Sequence, residues 1–132
     1  MLLDFATPME WLTMARSDFA VARVARVPEA VPATGCFLAQ QAAKKSLKGI
    51  LLRLGVSFQR RYDIGMLVDS LPSDLRVPTD VEHSVLLTRF AVDTRYPGSH
   101  ELPAWDNYER ALHLAEAVVN WATDIIQRTD KA

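Results

Sequence analysis

Residues Ala33 to Leu54 form a 22-residue stretch without an internal proline, closed by Gly55, whose apolar positions run around most of a helical circumference. Cys36, Phe37, Ala39, Ala43, Leu47, Ile50, Leu51 and Leu54 leave little room for a solvated face. A helix of this kind is central in a bundle or is covered twice by a partner chain. Few folds accommodate such a rod, and the remainder of the chain supplies candidates to pack around it.

Breakers at Pro28, Pro32–Gly35, Gly55, Pro72, Pro78, Pro97–Gly98 and Pro103 divide the 132 residues into segments of helical spacing. The first helix is expected to begin at Thr7-Pro8-Met9-Glu10. Thr7 can cap, Pro8 suits the first helical position and Glu10 completes a capping box. Leu12, Ala15, Phe19 and Ala22 make its stripe, and Pro28 ends it. A short third helix fits Ile64 to Leu71. The fourth is expected behind a second capping box, Thr79-Asp80-Val81-Glu82, with Val81, Val85, Leu86, Phe90 and Val92 as its apolar positions. The fifth follows Asp106, with Glu109 three residues on; its stripe is Tyr108, Ala111, Leu112, Ala115, Val119, Ala122 and Ile126. The expected fold is all-α: an antiparallel up-and-down helical bundle of four long helices plus a short one, one domain over residues 1–132.

Composition matters mainly for what it excludes. With 49% hydrophobic residues, 23% charged and a net charge of −1, the chain is neither a disordered tail nor a globally basic nucleic-acid binder. One cysteine, Cys36, permits no internal disulfide, and the N-terminus does not read as a signal peptide, so a cytoplasmic location with no membrane contact is expected. His83, His100 and His113 have no second ligand at metal spacing, and neither a phosphate loop nor a nucleophile elbow occurs. Hence no metal and no cofactor are expected. Trp11, Trp105 and Trp121 read as core and loop anchors.

Charge is locally uneven. Val31 to Tyr62 contains no acid but carries Lys44, Lys45, Lys48, Arg53, Arg60 and Arg61. Lys44 and Lys48 lie one turn apart and share a face with Gln40 and Gln41, which makes Gln41, Lys44 and Lys48 candidate phosphate contacts. A solvated flank of a buried helix is the plainer alternative. Arg95 and Tyr96, set by Pro97 at the mouth of the fourth helix, either bind phosphate or complement the helix end.

The run Cys36-Phe37-Leu38-Ala39-Gln40-Gln41-Ala42-Ala43-Lys44-Lys45-Ser46-Leu47-Lys48 resembles the second helix of the HEPN family. Trp11-Leu12, Ala15 and Asp18-Phe19 are similar to its opening, and Arg95-Tyr96-Pro97 to the motif after its fourth helix. The resemblance spans Trp11 to about Gln127. It implies a homodimeric helical bundle that works beside a minimal nucleotidyltransferase in a toxin–antitoxin type system and holds nucleotide or RNA phosphates. A subset of that family are metal-independent ribonucleases with an Arg-x(4–6)-His motif. Arg95-Tyr96-Pro97-Gly98-Ser99-His100 fits that pattern, making Arg95 and His100 the candidate catalytic pair for the ribonuclease alternative.

Overall fold

The computed structural model describes residues 6–91 and 102–129, without the side chains of residues 128 and 129. Among these all regular structure is helical, with α1 (Pro8–Ala22), α2 (Pro32–Arg53), α3 (Ile64–Asp69), α4 (Thr79–His83), a 3₁₀ helix (Ser84–Phe90) and α5 (Trp105–Thr129). No helix among the described residues is long and apolar enough to cross a membrane.

The N-terminal signals of α1 behave as expected. Thr7 accepts from the Glu10 N–H at 3.1 Å and the Glu10 carboxylate accepts from the Thr7 N–H at 2.8 Å, so both halves of the capping box are made. Leu12, Ala15 and Ala22 are fully buried, with Phe19 packed beside them.

Helix α2 is the central rod. Its buried residues point in every direction: Ala33, Gly35, Cys36, Ala39, Gln40, Ala42, Ala43, Ser46, Leu47, Lys48, Gly49, Ile50 and Leu51. Small side chains let neighbours approach closely. A Cβ on Gly49 would lie 3.0 Å from Ile126 of α5, 3.1 Å from Trp11 and 3.2 Å from the Pro8 carbonyl, so three helices meet there. At the other end a Cβ on Gly35 would meet Tyr108 and Ala25. These pairings fix direction: α1 runs antiparallel to α2, whereas α2 and α5 run the same way. That is the order of an up-and-down bundle in which α4 and the 3₁₀ helix form the rod between α2 and α5. Full burial of each of Leu12, Leu47, Ile50, Leu51 and Leu114 contributes ~1.5–3 kcal/mol to the common core.

The end of α2 is a Schellman turn. Gly55, at φ 76°, donates to the Leu52 carbonyl at 3.1 Å and Val56 donates to the Leu51 carbonyl at 2.9 Å. Nothing lies within 4 Å of a Cβ built there, so only the left-handed backbone resists substitution. Gly55→Ala is expected to cost about 1 kcal/mol, lowering the melting temperature by about 4 °C, with Gly55→Asn milder. Thermal denaturation followed by circular dichroism measures this.

Three details depart from expectation. The box at Thr79–Glu82 does not form, and no side chain caps α4. Pro78 enters at φ −60° and ψ 146°, and its carbonyl takes the Val81 and Glu82 N–H groups, leaving Thr79 already inside the helix. Helix α5 starts at Trp105 rather than after Asp106, with the Ala104 N–H held by Asn107 Oδ1 at 2.8 Å. The fourth rod is a short α-helix continuing as 3₁₀, which turns every three residues instead of every 3.6. Val81, Ser84, Leu87 and Phe90 therefore face the core, while Val85 and Leu86 are exposed.

Candidate functional site

The turn at Gly55 sends the chain back along α2, and Phe58 and the Arg60 carbonyl come to lie over Lys48. The result is a buried amine between α1, α2 and this connection. Lys48 is only 6% exposed. Its ammonium donates to the Arg60 carbonyl at 3.1 Å and lies 5.3 Å from the Trp11 ring centre and 5.8 Å from that of Phe58. The two rings meet edge to face at 6.3 Å. Aromatic faces stabilise a cation when water is excluded, but do not neutralise it.

Among the described residues, every charged group that shifts Lys48 is another cation. Burial first, then Lys44, Arg60 and Lys45, bring its pKa down to about 8. Lys45 has its own counter-ion, Asp18 at 2.8 Å. Among the described residues Lys48 pairs with no carboxylate, Lys44 is half-buried, and Arg60 and Arg61 are exposed. The Trp11 Nε1–H is buried without an acceptor among the described residues. Buried charge in folded proteins is ordinarily paired, so this cluster is chemically prepared for an anion.

The candidate residues fall into two groups. Gln41, Lys44 and Lys48 do share one side of α2, where the Gln41 side-chain amide donates to the side-chain Oε1 of the buried Gln40 at 2.9 Å. Lys44 and Lys48 do not form an open pair on a solvated face, however: one is half-covered and the other enclosed. Arg95, Tyr96 and His100 lie outside the described residues. Trp11, Phe58 and the Arg60 main chain escaped the sequence reading as parts of the site. The available signal was Lys48 itself, which sits between Leu47 and Gly49 in a helix with little solvated surface and must be buried or bent outward.

Other chemical groups lead elsewhere. Cys36 is fully buried, and burial pushes its thiol up to about 11, so it stays protonated at neutral pH. His113 meets Asp80 at 3.0 Å on the surface. Trp105 stacks edge-on against Tyr108 and lies under the Arg26 guanidinium at 4.6 Å, an anchor at the start of α5. No group of His, Cys, Asp and Glu among the described residues has the geometry to hold a metal ion.

The bundle has counterparts among solved proteins. TT1696 from Thermus thermophilus is 30% identical with a TM-score of 0.74, the match covering 89% of this chain and 96% of that one. ST0689, an archaeal HEPN homologue, is 22% identical with a TM-score of 0.73 over 92% of this chain and 99% of its own, a likeness of fold. No curated protein matches the sequence significantly. The model of the HEPN domain matches residues 8–126, from the capped start of α1 to the last buried turn of α5. The helical bundle agrees with the fold that the resemblance implied, and the chain belongs to the HEPN domain family.

Proposed function

We propose that the chain is a cytoplasmic, non-catalytic HEPN module that dimerises, docks a minimal nucleotidyltransferase and holds nucleotide or RNA phosphates, as in toxin–antitoxin type systems. The observation that carries the phosphate-holding part is the enclosed Lys48 ammonium, whose charged neighbours among the described residues, Lys44, Lys45 and Arg60, are all cations. A phosphate group supplies the missing negative charge, and Gln41 and Lys44, both half-buried, lie on the same side of the helix as Lys48. Arg95 and Tyr96 are further contacts in this reading.

Titration calorimetry with ATP and with pyrophosphate tests it. Binding is expected to weaken steeply with added salt and to fall at least tenfold in Lys44→Ala and in Lys48→Met. Absence of any saturable binding at millimolar ligand removes the phosphate reading. Co-purification with the product of an adjacent nucleotidyltransferase gene tests the partner.

The second reading is a metal-independent ribonuclease using Arg95 and His100, supported by the Arg95-to-His100 motif in the sequence. Expression of wild type and His100→Ala separates the two. The module predicts that neither arrests growth; arrest lost on His100→Ala establishes the ribonuclease instead.

A further inference from the structure

A lysine becomes a nucleophile when it loses its proton near neutral pH, and burial beside other cations is what removes that proton. Lys48 meets both conditions. It is enclosed, and among the described residues the charged groups acting on it are Lys44 and Lys45 of its own helix and Arg60 of the connection to α3. On α1, Asp18 is engaged with Lys45 at 2.8 Å and the Glu10 carboxylate with the Thr7 N–H at 2.8 Å. At pH 7 an amine with a pKa of about 8 is unprotonated roughly 300-fold more often than one at 10.5. The surroundings call for an acceptor at this nitrogen. The Trp11 ring beside the amine keeps its Nε1–H buried without an acceptor among the described residues. Buried donors in folded proteins are ordinarily satisfied, so three cations and an orphan N–H around one amine mark an unfilled anion position. The cover there is the connection between Gly55 and Asp63, which contains no helix and leaves Ser57, Gln59 and Arg60 exposed. A reagent of three atoms displaces a loop and no helix.

We propose that Lys48 is a carboxylation site, at which carbon dioxide adds to Nζ and the resulting carbamate is held by the Trp11 Nε1–H, Lys44 and Arg60. The lone pair of the neutral nitrogen bonds to the carbon of CO2, one C=O π pair moves onto oxygen, and the nitrogen releases a proton to solvent. Nothing is oxidised or reduced. Counted from the ammonium, two protons leave, and the side chain passes from one positive charge to one negative. Repulsion by Lys44, Lys45 and Arg60 thereby becomes attraction, and the carbamate oxygens accept charge-assisted hydrogen bonds. The N–H that remains on the nitrogen still donates to the Arg60 carbonyl, the partner of the ammonium at 3.1 Å. This site shares its amine with the phosphate reading but does not depend on it. The carbamate is a covalent adduct detected with no phosphate ligand present, and its absence leaves the outcome of the phosphate titration open.

The full chain incubated with isotopically labelled bicarbonate gives the first readout, by carbon NMR. Trapping the same sample with triethyloxonium turns a carbamate into a stable ethyl ester, which peptide mass spectrometry places on one residue. The ester is expected on Lys48, and the matching carbamate resonance is expected to vanish in Lys48→Met, while any signal from the terminal amine persists. At fixed bicarbonate the carbamate follows the neutral amine. Occupancy is therefore expected to climb about fivefold between pH 7 and 8 and to level off above about pH 9, where an ordinary lysine would still be climbing. Trp11→Phe keeps a ring beside the amine and removes the orphan donor, and is expected to lower occupancy about tenfold. Wild-type protein in which Lys48 stays unlabelled from pH 7 to 9 overturns the inference, as does an adduct found only on Lys44, Lys45 or the terminal amine. Unchanged occupancy in Trp11→Phe overturns the part assigned to the indole.

Discussion

Gly35→Ala is expected to destabilise the protein by about 3 kcal/mol and lower its melting temperature by about 10 °C, at the upper end of what one added methyl group does in a packed interior. The added Cβ would lie 2.3 and 2.5 Å from two ring carbons of Tyr108, far inside contact distance, with Ala25 at 3.3 Å on another side. Tyr108 has little freedom to give way. It is 2% exposed, its hydroxyl donates to the Ala22 carbonyl at the end of α1, and Trp105 packs against its ring at 5.2 Å. One side chain from α5 thus ties together the ends of three helices, and Gly35 is the notch into which it fits. A double-mutant cycle checks the cause. Tyr108→Ala alone costs ~3–5 kcal/mol by leaving a cavity, but Gly35→Ala in that background is expected to cost little, so the pair falls short of the sum by about 2–3 kcal/mol. Equal costs in both backgrounds would refute the clash.

The second large effect is a dependence of stability on pH through Lys48. Its pKa in the folded chain is about 8, against an ordinary 10.5, because burial and three neighbouring cations oppose the charged form. The unfolded chain therefore binds this proton more tightly than the folded chain does. Below pH 8 the full penalty is present in the native state; it shrinks as pH rises between about 8 and 10.5, where stability increases. The whole excursion is on the order of 3 kcal/mol. Lys48→Met keeps most of the volume without the charge and is expected to be as stable as wild type or more so at pH 7, with that rise abolished. Denaturant titrations of both proteins from pH 7 to 10 measure the difference. Millimolar pyrophosphate is expected to shrink the rise in wild type, since an anion at the site restores the pKa of the amine. Two parallel pH curves would mean that Lys48 does not carry the effect.

Much of the bundle was legible in the chain because its signals are local. The Thr7–Glu10 box and the Gly55 stop each need only a few consecutive residues, and each places a helix end. The near-continuous apolar circumference of 33–54 implied a central rod by itself, since no orientation leaves such a helix solvated. The fourth rod was misread in its phase: apolar residues at both Val85–Leu86 and Leu87 suit either period, and only packing against α2 and α5 selects the tighter winding that buries Leu87.

The candidate site depended on contacts between distant segments. Sequence shows Lys44 and Lys48 one turn apart, which is equally the pattern of an open basic stripe. Tertiary structure encloses Lys48 between Trp11, 37 residues earlier, and Phe58, beyond the Gly55 turn, and turns an apparent surface charge into a buried one. Similarly, periodicity identified the inward face of α1, while only the packed bundle establishes that nothing in the described chain covers Met14, Val21 and Val24. Helix identity and ends follow from interactions within a few residues, which the amino-acid order states directly. Burial of a charge and exposure of an apolar face follow from which segments meet, and those meetings exist only once the chain has packed.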